Sequence, residues 1–237
     1  MAKPLFSICI PFQSDDSRRQ AIYAWLSSFY RYHLPMAEVC TGVDDADSPA
    51  VNLSRMRNNA VQHASTNTLI CIDADALLAP STILDIVTCL KSGWSLISLD
   101  RLYWLRSLRT QLLLQFPPSS PMPDIMLNRD TEGYPLRDFC GLFFAVTRKT
   151  FDIVHGFDDR MYGWGCEDDA FHCAVNGAVG PTYRFGAPIY HIKHPRSSEQ
   201  TSQNAHYAHS MTILREYKAI QATGDRKAMR EYCKTRA

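Results

Sequence analysis

Gly156-Phe157-Asp158-Asp159-Arg160-Met161-Tyr162-Gly163-Trp164-Gly165-Cys166-Glu167-Asp168-Asp169 is the stretch on which the reading of this chain turns. A Gly-Phe turn leads into a Gly-Trp-Gly hinge, and the hinge ends on three consecutive carboxylates. Ala170, Phe171, Ala174 and Val175 then follow at helical spacing up to Gly177, so the acids open a helix. Its unpaired N–H groups and dipole tolerate the negative charge. A capped surface helix would explain the acids alone. The tryptophan between two glycines adds a ring on a mobile backbone, suited to cover a sugar face.

Upstream, apolar runs alternate with helical stripes. Leu5–Ile10, closed by Pro11, reads as a buried first strand; Ile22, Leu26, Phe29 and His33 mark a helix over Ser17–Leu34. Glu38–Val43 is a second strand, Leu53, Met56, Ala60 and Ala64 a second helix, and Thr68–Ile72 a third strand. Pro80 opens a third helix that Gly93 stops, and Trp94–Leu99 is a fourth strand. This alternation predicts an α/β fold with a mostly parallel central sheet flanked by helices. Ligands of such sheets bind beyond the carboxyl ends of the strands, where Gln13, Asp44, Asp45, Asp73 and Asp75 gather.

Residues 101–137 show no clean period beyond a short helix around Leu105–Leu114, and read as an irregular insertion that contacts the acceptor. Regularity returns with a strand over Phe139–Val146 and a short helix over Lys149–Val154. Pro188–His194 is a strand bearing two histidines, and Tyr207, Met211, Leu214 and Tyr217 mark a long helix. The last dozen residues are charged and expected to fray.

The chain has 237 residues, a formal net charge of +1 and eight cysteines without a Cys-x-x-Cys pair. Bulk charge therefore gives no support to a nucleic-acid or membrane surface, and the cysteines give neither a disulfide framework nor a zinc site. Cys9 and Cys71 sit in apolar runs as small hydrophobes. No signal-peptide run precedes Gln13, and Leu112–Phe116 is too short to span a bilayer, so a cytoplasmic protein without a membrane span is expected.

Asp73-x-Asp75, leaving a buried strand, can hold a hard divalent cation and keep positions open for phosphate oxygens. His191 and His194 are candidate ligands for the same cation. Positions i and i+3 of a strand point to opposite faces, so at most one should reach it, and His194, before a loop at Pro195-Arg196-Ser197, is the better placed. Asp44 and Asp45 are either turn residues or acceptors for a base or ribose. Arg57 is either solvated or, on a helix edge beside the pocket, a partner for base or phosphate oxygens.

Taken together, Ile10-Pro11-Phe12-Gln13, Arg57-Asn58-Asn59-Ala60, Asp73-Ala74-Asp75, Gly156-Phe157-Asp158-Asp159, Gly163-Trp164-Gly165-Cys166-Glu167-Asp168-Asp169 and His191-Ile192-Lys193-His194-Pro195-Arg196 resemble the motifs of GT-A glycosyltransferases. The front half resembles family-2-type enzymes. The region from Gly141 to about Ser197 is similar to the catalytic domain of β1,4-galactosyltransferases and to polypeptide N-acetylgalactosaminyltransferases. The resemblance implies a single GT-A domain with a nucleotide-binding half over 1–100, an acceptor and catalytic half over 138–200 and a helical tail over 201–237. It implies inverting, Mn²⁺- or Mg²⁺-dependent transfer from a nucleotide sugar, usually UDP-linked, to a glycan or protein acceptor. By position, Asp75 is the direct metal ligand, Asp73 contacts ribose or metal-bound water, and His194 is the metal histidine. Asp168 is the catalytic base, Glu167 its neighbour on the acceptor sugar or donor, and Trp164 the mobile tryptophan that closes over substrate. Pro11, Asp45 and Arg57 line the nucleotide pocket. His191 stands where the galactosyltransferases carry methionine, Cys166 where glycine is usual, and Ala170 where another acid often follows. A carboxylate at a helix N-terminus is expected to stay ionised at neutral pH, which suits a base.

Two other readings compete. A GT-A-like module could hold a nucleotide sugar or glycan without turnover. A nucleotidyltransferase would want a glycine-rich phosphate loop after the first strand, and Pro11–Ser17 contains no glycine. A nucleic-acid base as acceptor has little support from a net charge of +1.

Overall fold

The computed structural model describes residues 3–46, 50–121, 132–135, 141–195 and 205–236. Strands β1 (Phe6–Pro11), β2 (Ala37–Gly42) and β3 (Thr68–Ile72) alternate with helices α1 (Ser17–His33) and α2 (Leu53–Gln62). A two-residue strand β4 (Ala76–Leu77), α3 (Pro80–Lys91), β5 (Leu96–Leu105) and α4 (Ser107–Gln115) follow. Then come β6 (Glu132–Pro135), β7 (Phe143–Thr147), α5 (Arg148–Ile153), α6 (Glu167–Ala178), β8 (Thr182–Ile192), α7 (Ala205–Thr223) and α8 (Arg226–Lys234). Short polar side chains start several of the helices. Asp16 accepts from Arg19 N at 2.8 Å, Asn52 from Arg55 N at 2.9 Å, and Asp225 from Lys227 N at 2.9 Å.

All eight strands form one sheet in the order β2-β1-β3-β7-β5-β8-β4, with β6 beside β5. The parallel pairing expected from the alternation holds for β1 with β2 and β3, and for β5 with β8. The sheet is nonetheless mixed, because β7 enters antiparallel between β3 and β5, and β4 and β6 pair antiparallel with β8 and β5. Side-chain alternation splits the core in two. Phe6, Ile8, Ile10, Ile70 and Ile72 face a layer with α1 and α3, whereas Cys9, Leu69 and Cys71 face α2, α6, α7 and α8. Helix α2 lies so close to the sheet that a Cβ on Gly42 would stand 2.0 Å from Met56 O and 2.3 Å from Ala60 N.

Two expectations need correction. The stretch 101–137 is not irregular throughout: β5 continues through Asp100–Leu105, and α4 begins at Ser107. Burying Leu102 and Leu105 while Arg101 is exposed gives β5 a two-sided environment that an apolar-run criterion ends too early. Phe139, Cys140, Arg196 and Ser197 lie outside the described residues. The last residues do not fray as a charged tail. They form α8, whose Met229 and Cys233, one helical turn apart, are fully buried against the α6 and α7 layer. Met229→Ala is expected to cost about 2–5 kcal/mol of unfolding free energy, read as a lower denaturant midpoint at unchanged slope. A midpoint equal to that of the parent would return α8 to the status of an undocked tail.

Candidate active site

The site is assembled where three chain segments meet. Strand β3 ends at Ile72, and Asp73 N donates to Leu142 O at 2.9 Å, fixing the exit of the strand. The chain then turns into β4, whose Ala76 registers with His191 and Leu77 with Tyr190 on β8. Ile192 N donates to Asp75 O at 2.7 Å. This short antiparallel pairing, invisible to strand periodicity, sets Asp75 beside the histidines.

His194 Nε2 lies 2.9 Å from Asp75 Oδ2 and His191 Nε2 lies 3.8 Å from Asp75 Oδ1. One ligand atom from each of Asp75, His191 and His194 falls within 4.8 Å of the others. Both histidines therefore face the same point, against the expectation that only one would. Strand β8 ends at Ile192, so Lys193 and His194 leave the pleat, and the two-residue alternation no longer governs the His194 ring. His194 Nδ1 donates to Pro195 O at 2.6 Å, which leaves Nε2 as the nitrogen turned toward Asp75. Asp75 Oδ1 is buried without a hydrogen-bond partner. Burial raises the Asp75 pKa, but the His194 hydrogen bond and the charges of His191 and His194 outweigh it and hold the carboxyl below its ordinary value. An ionised carboxylate with an unsatisfied oxygen and two imidazoles on one side is a donor set that suits a divalent cation. The His191 ring is also held by Trp104 of β5, with centroids 4.3 Å apart.

Opposite lies the acidic helix start. Asn58 grips the turn before it: Phe157 N donates to Asn58 Oδ1 at 2.9 Å, and Asn58 Nδ2 donates to Phe157 O at 2.9 Å and to Asp159 Oδ1 at 2.7 Å. Gly163 N donates to Val51 O at 2.9 Å. Gly163, Gly165 and Cys166 have φ of 78°, 99° and 76°, all left-handed. Two glycines take this conformation without steric cost, while Cys166 holds it as the residue that enters α6. The reversal leaves Trp164 42% exposed, its ring 5.9 Å from Tyr207 of α7.

Arg57 is not a helix-edge residue beside the pocket. Its side chain is 2% exposed and contacts Asp73 at 2.9 Å, Glu167 at 3.0 Å and Asp168 at 2.9 Å. Its guanidinium also lies 5.1 Å from the Phe157 ring centroid. One cation thus ties the Asp-x-Asp turn to the acidic helix, two segments some ninety residues apart in sequence. Asp168, expected to stay ionised at neutral pH, sits at the helix start in a partly buried position beside Arg57. Burial raises its pKa well above the usual carboxylate value. Arg57 opposes the rise, and the charges of Glu167, Asp73 and Asp169 add to it. Burial raises Asp73 as well, with Arg57 again opposing.

A cavity of about 560 Å³ joins these groups; Pro11, Asp73, Asp75, Trp164, Glu167, Asp168, His191 and His194 all line it. Leu102 and Trp104 of β5 and Tyr207, Met211 and Lys218 of α7 are also part of the wall. Sequence reasoning overlooked the latter because nothing local distinguishes a wall residue on a helix from a core residue. Gln13, Asp44 and Asp45 stand apart from this lining. Gln13 Oε1 accepts from Asp44 N at 2.8 Å, and Asp44 Oδ2 accepts from Asn52 N at 2.8 Å. Asp44 also pairs with Arg55 at 2.7 Å, and Asp45 accepts from Asn59 Nδ2 at 3.0 Å. These residues order the entry to α2.

Two solved structures share the architecture. A mutant of Drosophila β1,4-galactosyltransferase 7 in complex with manganese, UDP-Gal and xylobiose has a TM-score of 0.51 and 16% identity, over 87% of this chain and 79% of that one. The catalytic domain of the Drosophila β1,4-galactosyltransferase 7 in complex with xylobiose gives 0.51 and 17%, over 90% and 79%. The fold is GT-A. Within it, residues 125–195 match the family model described as the N-terminal domain of galactosyltransferase, a span that contains both the acidic helix start and the two histidines. No curated protein matches the chain by sequence. In this GT-A chain, no helix among the described residues is long and apolar enough to cross a membrane.

Proposed function

We propose that the protein is an inverting, metal-dependent glycosyltransferase that moves a sugar from a UDP-linked donor to an acceptor hydroxyl. The observation that carries the reading is the joint presence, on one cavity, of the Asp75–His191–His194 cluster and the raised-pKa Asp168. The galactosyltransferase family match and the UDP-Gal and manganese in a structure of the same fold favour galactose as the transferred sugar and Mn²⁺ as the ion.

Asp75, His191 and His194 would hold the ion, which when bound offsets the negative charge that grows on the leaving diphosphate. Asp168 takes the proton of the acceptor hydroxyl as that oxygen bonds to the anomeric carbon, while the bond from that carbon to the diphosphate oxygen breaks on the opposite face. A base is most effective when its pKa approaches the working pH, which is the direction in which burial moves Asp168. Arg57 fixes the position of the Asp168 carboxylate and that of Glu167 beside it. Trp164, exposed between two left-handed glycines, covers the sugar when the hinge closes, and Asp73, on the same cavity wall, would contact the ribose of the donor.

The test has two arms. Labelled UDP-galactose with Mn²⁺ should be hydrolysed slowly even without acceptor, and a binding module would leave it intact. Independently of turnover, Mn²⁺ at about a hundred times its dissociation constant should add about 2.7 kcal/mol of stability, roughly 5–10 °C in melting temperature for a chain of this size. Asp75→Asn and His194→Ala should each abolish that shift; a shift retained in both would place the ion elsewhere.

A further inference from the structure

Strand β4 is only two residues long, yet the turn it closes delivers Asp75 to the histidines. It pairs with β8 along one edge and ends the strand order, so among the described residues no strand covers its other edge. Ala76, Leu77 and Leu78 are nonetheless fully buried, and their backbone groups on that edge need partners without help from water. A side chain from another element supplies them. Tyr30, on the core-facing side of α1 and itself 0% exposed, donates its hydroxyl proton to Ala76 O at 3.2 Å and accepts from Leu78 N at 3.0 Å. Residues two apart in a strand turn these groups to the same side, so a single hydroxyl spans Leu77 and takes the place of a neighbouring strand. Burial pushes the Tyr30 phenol far above its ordinary pKa, so it keeps the proton it donates.

The backbone around Asp75 is thus held from two directions. On one side Ile192 N donates to Asp75 O at 2.7 Å; on the other the Tyr30 hydroxyl grips the next carbonyl, that of Ala76. Asp75 and Ala76 are neighbours in the chain, so a shift of the Ala76 peptide moves the Asp75 carboxylate with it. A metal centre is sensitive to such shifts, because its ligand distances hold to within about 0.2 Å. The carboxylate in question has a buried oxygen, Oδ1, without a hydrogen-bond partner, and stands 2.9 Å from His194 Nε2.

We propose that Tyr30 is a positioning residue for the metal centre: its hydroxyl clamps β4 against β8 and so sets the place of the Asp75 carboxylate relative to His191 and His194. It touches neither ion nor substrate. The inference rests on the reading of Asp75, His191 and His194 as metal ligands and deepens it, since it puts a determinant of metal affinity in the hydrophobic core, on α1.

Calorimetric titration of the full chain with Mn²⁺ tests it. Tyr30→Phe keeps the ring and removes the oxygen, leaving Ala76 O and Leu78 N buried without that partner. It should raise the Mn²⁺ dissociation constant about tenfold, the scale on which loss of a ligand-orienting contact is felt. A general loss of stability does not do this. Met229→Ala, in the other core layer, should lower the melting temperature and leave Mn²⁺ affinity as in the parent. Parent-like affinity in Tyr30→Phe, or an equal loss of affinity in Met229→Ala, overturns the proposal. A measurement on the parent serves if Tyr30→Phe does not fold. Coupling is reciprocal, so Mn²⁺ should slow hydrogen exchange of the Leu78 amide about tenfold, and more than it slows exchange of the Met229 amide on α8. Equal slowing of the two would also overturn the proposal. Asp75→Asn separates the two levels. Absence of Mn²⁺ binding in the parent, or binding that survives Asp75→Asn, sinks the metal site and this inference with it. Binding lost in Asp75→Asn but untouched in Tyr30→Phe sinks the role of Tyr30 alone.

Discussion

Asp168→Asn is expected to lower sugar transfer by at least about a hundredfold, with nucleotide binding and melting temperature close to those of the parent. An amide keeps the shape of the carboxylate but cannot accept the acceptor's proton. The Arg57 guanidinium keeps Asp73 and Glu167 as ionic partners, so the substitution does not strand a buried cation. The pH dependence gives a second signature. Asp168 must be deprotonated to act, and burial with three neighbouring carboxylates places its pKa above the ordinary range. The acid limb of the kcat/KM profile should therefore fall above the pH range of an ordinary carboxylate, and the limb should vanish from the residual activity of Asp168→Asn. The same shift has a stability consequence of fixed sign. A carboxyl whose folded pKa lies above its unfolded one binds its proton more tightly in the folded state, so its effect is stabilising at low pH and lost as pH rises through the folded value. If Asp168→Asn retains transfer, the base is another group, and Asp169 or Glu167 would be the next to test.

The front of the fold was legible because its strands are buried on both faces and read as short apolar runs, as in Phe6–Ile10 and Thr68–Ile72. The Asp-x-Asp turn and the acidic helix start were legible for a different reason. Asp73, Asp75 and Glu167–Asp169 cluster charge in a way that a folding argument alone rarely asks for, and the structure puts them on one cavity. What stayed hidden depends on long-range pairing. The antiparallel entry of β7 is a pairing of Leu69 with Val146 and Ile70 with Ala145, and no local pattern encodes a strand's direction. The convergence of His191 and His194 depends on where β8 stops, at Ile192 opposite Leu105 of β5 and one residue past the pair of His191 with Ala76 of β4. Arg57, on a polar stripe, read either as a solvated residue or as a partner for base or phosphate oxygens. Its burial became visible only once α2 was placed beside the acidic turn by Asn58 and Asn52.

Arg57→Met is expected to have the largest effect on stability of any single substitution in the site, about 3–5 kcal/mol, or on the order of 10 °C in melting temperature. The reason lies in the asymmetry of the cluster. Asp73, Glu167 and Asp168 share one guanidinium that is 2% exposed. Removing it leaves three carboxylates crowded in a partly desolvated pocket with mutual repulsion and no counter-charge. Methionine fills much of the volume, so the loss reports charge in place of cavity formation. The pH dependence of the loss separates the two. Arg57 opposes the upward shift of Asp73 and Asp168, so without it both rise further. Their protonation in the folded state then relieves the repulsion. The gap between Arg57→Met and the parent should be smallest at acidic pH and widen as pH rises through those folded pKa values. A gap independent of pH would assign the loss to packing against Phe157. Arg57→Lys should fall between the two, since a point charge restores the sign but cannot span three carboxylates with a planar fork. A parent-like melting temperature in Arg57→Met at neutral pH would show that the three acids are not ionised together. The account of Asp168 as a base held in place by a buried cation would then have to be abandoned.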